Sequence, residues 1–151
     1  MATTSLQFSV LTTLKTLLDA RTPGLDGVQR SLGRPAGDDQ ATEYVWLLGS
    51  SDLDQEHTRL SGGQARVARE NEFDIDIKVG ARSKVGPEAN YVRLGEIVAQ
   101  VELIVAEDPR LGNLDGVNWC VLTGIDIDLG RKERQPEATA DLILTVSGRL
   151  R

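Results

Sequence analysis

The chain carries one cysteine and one histidine in 151 residues. With Cys120 alone there is no intrachain disulfide and no cysteine metal cluster. With His57 alone there is no histidine metal cage, and any Ser-His-Asp or Cys-His mechanism must route through that one ring. Aromatic residues make up only 4% of the chain, so contacts with partners are expected from aliphatics, charge pairs and strand edges. Lys and Arg total 17 against 23 Asp and Glu, a net charge of −6. That balance argues against a dedicated nucleic-acid binder, whose footprint is a basic face. No apolar run approaches the ~20 residues of a membrane span, and the N-terminus lacks the charged and apolar regions of a signal peptide. These absences point to a soluble chain made in the cytoplasm, with no membrane partner. The 40% hydrophobic content is enough for a core, and the length suits one domain over residues 1–151.

Hydrophobic spacing supplies the elements. Leu6, Val10, Leu11, Leu14, Leu17 and Leu18 fall on one face of a helix over Thr4 to Ala20, stopped by Pro23 and Gly24. A glycine-rich stretch follows, with short strands at Val28 to Leu32 and Tyr44 to Leu48 joined by a hairpin or loose connection around Asp38 and Asp39. Gly49 to Gly63 is polar and long for a connector, a loop reaching to about residue 66. Glu70 to Val79 alternates, with Phe73, Ile75, Ile77 and Val79 against Glu72, Asp74, Asp76 and Lys78. Pro87 opens a second helix with Tyr91, Leu94, Ile97, Val98, Val101, Ile104 and Val105 as its stripe, ended at Asp108 and Pro109. Strands over Trp119 to Leu129 and Ala138 to Leu150 close the chain, joined by a charged turn from Gly130 to Pro136. The order predicts an α+β fold: a small single-domain sandwich, its sheet mostly antiparallel or mixed, with the two main helices packed on one face. Leu14, Leu17, Leu94, Val98 and Val101 are expected to pack on Ile75, Ile77, Ile125 and Leu144.

Motifs that would carry chemistry are incomplete. Asp52, Asp54 and Glu56 open like a calcium loop, yet His57 stands where that loop needs glycine and Gly63 where it needs a bidentate acid. Asp74, Asp76 and Lys78 match an acid-x-Lys pattern of metal-dependent nucleases, but simple outward alternation explains the same residues. Gly62 and Gly63 lack a following Lys and Ser or Thr, so no phosphate loop is formed. No nucleophile elbow is present, and Cys120 beside Trp119 reads as a small core hydrophobe. Arg131, Lys132 and Arg134 make too small a cluster for a nucleic-acid patch. The residues thus point to no catalytic group, cofactor or metal, and by elimination to an interaction protein.

The arrangement of segments resembles the tail terminator proteins of long-tailed bacteriophages, also called minor tail or tail-completion proteins. The resemblance rests on the leucine-bearing first helix leading into Pro23 to Gln29, the Glu72 to Ile77 strand, the second helix running into Asp108 to Gly112, and the strand Trp119 to Gly124. It implies a non-enzymatic virion protein, assembled in the host cytoplasm. Such a protein forms a hexameric ring of copies of itself on the tail tube protein, ends tube polymerisation and presents the surface that meets the head-tail connector protein. Genomic DNA would pass through the ring without specific binding, and the family offers no catalytic residue to carry over. An excess of acids suits a channel that must let phosphates slide. The candidate interface or lumen residues are Asp52, Asp54, Glu56 and Arg59 in the long loop, Asp74, Asp76, Asp126 and Asp128 on the strands, and Arg131, Lys132 and Arg134 in the turn. The alternatives are another neck protein, a head-tail adaptor or stopper, and more distantly a metal-dependent nuclease built on Asp74, Asp76 and Lys78.

Overall fold

The computed structural model describes residues 3–21, 24–35, 42–49, 70–82, 86–132 and 135–149. Among the described residues two helices and five strands follow one another as α1 (Thr3–Asp19), β1 (Gln29–Leu32), β2 (Glu43–Gly49), β3 (Glu70–Arg82), α2 (Pro87–Glu107), β4 (Val117–Lys132) and β5 (Gln135–Arg149). The strands form one mixed sheet in the order β1-β2-β3-β5-β4. The helices pack against it, giving an α+β single-domain fold.

Helical spacing works as expected in α1: Leu6, Val10, Leu14 and Leu18, four apart, are buried, while Leu11 and Leu17 are only partly so. Lys15 and Asp19 close an i,i+4 ion pair at 2.6 Å on the outer side. Arg30 on β1 donates to the Leu18 carbonyl at 3.1 Å, placing a cation at the negative end of the helix dipole. In α2, Pro87 takes the first turn after Gly86, whose φ of 147° favours glycine. Leu94, Ile97, Val98, Val101, Ile104 and Val105 face the core.

Strand alternation then sorts the sheet into two faces. Val45 and Leu47 of β2, Phe73 to Ala81 at alternate positions of β3, and Ala138, Ala140, Leu142, Leu144 and Val146 of β5 are buried under the helices. Cys120 joins them, 3% exposed, as a small core residue, and its amide donates to the Pro109 carbonyl at 2.8 Å. Burial, helped by Asp108, pushes its thiol up to about 11.

Four expectations are corrected. β1 and β2 run parallel, with Gln29 opposite Tyr44 and Leu32 opposite Leu47, so their connection is not a hairpin; the chain must return to the starting end of β1 before β2 begins. Tyr91 lies off the buried stripe, on an exposed flank of α2. Ile125 is 49% exposed rather than packed under a helix. It lies opposite Leu142, on the helix side, but β4 is the outermost strand, and its next helix-side residues Ile127 and Leu129 are half exposed as well. The Gly130 to Pro136 turn is also shorter than expected, because the ladder runs on to Lys132 opposite Gln135.

Candidate interaction surface

The sheet face turned away from the helices gathers the acidic residues. Residues opposite one another on neighbouring strands share a face, and the register lines up Lys78 of β3, Asp141 of β5 and Asp126 of β4 in one row. Asp128 lies opposite Thr139 in the next row, and Asp74 and Asp76 stand beside Thr145 and Ile143. The sheet thus brings Asp74, Asp76, Asp126 and Asp128 together on one surface. Sequence reading missed Asp141, although its signal was present: it alternates with buried Ala140 and Leu142.

Hydrogen bonding fixes one end of this face. Thr145 Oγ1 donates to Asp74 Oδ1 at 2.7 Å, and the Thr123 and Thr145 hydroxyls are 2.9 Å apart. The Asp76 carboxyl is held above the ordinary range by burial, then by the neighbouring Asp74 and Asp141 charges. A shallow groove of about 480 Å³ runs among Leu48, Asp76, Asp126, Asp141 and Ile143. Trp119, Val121 and Ile143 add exposed apolar area to the same face.

The β2 side of this face is different, dry and cationic. Tyr44 and Trp46 are buried and stacked, ring centroids 4.0 Å apart at 18°. The Arg34 guanidinium sits 5.4 Å from the Trp46 ring centre, and Trp46 Nε1 donates to Gln29 Oε1 at 2.9 Å. The Tyr44 hydroxyl is pushed up to about 12 by burial and by Glu137. A low aromatic count gave no hint of this stack, since its signal is only that Tyr44 and Trp46 alternate with buried Val45 and Leu47.

Asp52, Asp54, Glu56, Arg59 and Arg134 lie outside the described residues, as do His57 and the segment from 50 to 69. Arg131 and Lys132 form the end of β4. Among the described residues no group of three or more His, Cys, Asp or Glu is placed to hold a metal ion. No described helix is long and apolar enough to cross a membrane. No protein-family model matches the chain, and no curated protein matches it either.

Proposed function

We propose that the chain is a structural virion protein, a tail terminator that closes the phage tail tube as a ring of its own copies. In that role it stops tube growth and offers the joining surface for the head connector. The observation that carries the reading is the acidic sheet face. Asp74, Asp76, Asp126, Asp128 and Asp141 share a surface that neither of the described helices covers, on a chain whose succession of segments resembles that family. Facing a channel, such a surface repels phosphates weakly and gives a passing duplex nothing to grip. The nuclease alternative would need Asp74 and Asp76 to help hold a divalent cation, and among the described residues no group of three or more His, Cys, Asp or Glu is placed to do so.

Deletion of the gene from a phage that encodes it tests the reading. Terminator function predicts tails of uncontrolled length and particles that fail to join heads, restored by the protein supplied in trans. Tails of normal length on headless particles would instead assign the chain to the neck, as an adaptor or stopper. Metal-dependent cleavage of plasmid DNA that disappears in Asp76→Ala would overturn both.

A further inference from the structure

The sheet ends in two unlike edges. β1 has four residues, whereas β4 has 16 and is the outermost strand on its side. Edge strands are ordinarily blunted by Lys, Pro, a bulge or a covering element, because their free amides and carbonyls are a template for another strand. The irregularities in β4 fall at its start and between Leu122 and Gly124, and from Gly124 to Gly130 it holds neither Lys nor Pro, its only charges being Asp126 and Asp128. On the helix side Ile125, Ile127 and Leu129 are 49%, 47% and 58% exposed. Arg93 turns one flank of α2 toward β2 through its 3.0 Å ion pair with Glu43. Helical spacing therefore turns the opposite flank, with exposed Tyr91, toward this same ledge.

Charge decides what fits the edge. In a two-fold antiparallel pairing of β4 with β4 of a second copy, residues directly opposite share a face, so the helix layers stay together only when the axis passes through a residue. Centring on Ile127 sets Asp126 against Asp128 of the second copy, twice. Centring on Asp128 sets that residue against itself. Like charges directly opposite are unfavourable. Centring on Leu129 instead brings Asp126 opposite Lys132, Asp128 opposite Gly130, and Leu129 against its own mate. One further step, to Gly130, keeps only Asp128 opposite Lys132 within β4 and carries Asp126 past the strand's end, while centring on Ile125 pairs no opposite charges and runs into the irregularity between Leu122 and Gly124.

We propose that two copies of this chain pair antiparallel through their β4 edges, centred on Leu129, so that their sheets become one continuous sheet. The contact joins identical surfaces, whereas a cyclic ring repeats a contact between different ones. It therefore belongs to the unassembled chain and does not rest on the ring reading.

Cross-linking tests the register directly. In a Cys120→Ser background, a short bis-maleimide should convert Leu129→Cys to dimer and give several-fold less product with Ile127→Cys, which the axis holds farther from its mate. Sedimentation equilibrium of the parent should show a monomer–dimer balance. Lys132→Glu should raise its dissociation constant by about tenfold or more, and the exchange Asp126→Lys with Lys132→Asp should restore it. A stronger product from Ile127→Cys overturns the register. A chain that stays monomeric, or a larger oligomer without the Leu129 link, overturns the pairing and leaves the ring reading to be judged by tail length.

Discussion

Gly80 faces a place in the sheet where a ring takes the room of a side chain. The Tyr44 phenol lies where its Cβ would be, and the same ring stacks on Trp46. Gly80→Ala must therefore push Tyr44 off Trp46, at a cost of about 1–3 kcal/mol. The expected outcome is a lower melting midpoint together with a weakened near-ultraviolet circular dichroism signal from Trp46; an unchanged midpoint would mean that the ring does not occupy that space. Asp76 makes a second prediction of the opposite sign. Burial and the charges of Asp74 and Asp141 raise its folded-state pKa, so the folded chain holds this proton more tightly than the unfolded chain does. Its contribution to stability is fully present below the unfolded value and is lost as pH rises through the folded one. At neutral pH the ionised carboxyl is thus a standing cost, and Asp76→Asn should raise the melting midpoint there. The gain should shrink away below about pH 4, where the parent is protonated too. Thermal melts of both proteins across that range check the sign.

Elements were legible in the sequence where one local period decides them. The buried stripe of α2 and the alternation of β3 repeat the amino-acid pattern almost residue for residue, since a core face needs only spacing and apolar type. Order of strands was not legible. The parallel pairing of β1 with β2 depends on where the connection returns, and β5 lies between β3 and β4 through contacts distant in sequence. Ile125 shows the same limit for the candidate surface. Alternation assigned it correctly to the helix side, but its exposure depends on the place of β4 as the outermost strand, which the alternation does not encode. For the same reason Asp74 and Asp76 could be read as outward, whereas their neighbour Asp141 came into view only with the β3–β5 register. Two adjacent positions of α2 test how the element is held. Leu94, 2% exposed, fills the core, and Leu94→Ala should cost about 2–5 kcal/mol. Gly95 is exposed, and a Cβ added there meets nothing within 4 Å. Gly95→Ala should therefore stabilise the protein by about 0.5–1 kcal/mol through helix propensity alone. Urea titration of both variants measures the two effects, and a loss of stability in Gly95→Ala would contradict the exposure of that flank.

On the scale of the whole molecule, the sheet divides two jobs between its faces. One carries the core, with Ile75, Ile77, Leu142 and Leu144 under the helices; the other carries net negative charge with little steric relief. A ring of such subunits would multiply that charge around an axis, so the acids matter through their sum rather than through any one contact. Asp128 is exposed on β4 and Asp141 on β5, which makes Asp128→Lys with Asp141→Lys a reversal of local charge that leaves the core untouched. The paired variant is expected to melt close to the parent and, under the proposed terminator role, to cap tails at normal length, because neither residue supports a buried contact. If the acidic face lines the channel, each subunit now offers cations to the passing phosphates, and genome release from the particle should slow. The delay should shorten as salt is raised, since Lys–phosphate attraction falls steeply with ionic strength. Release measured by dye entry into ejected DNA at low and at physiological salt separates the possibilities. A variant that caps tails normally and releases DNA at the parental rate in both buffers would place the acidic face away from the channel.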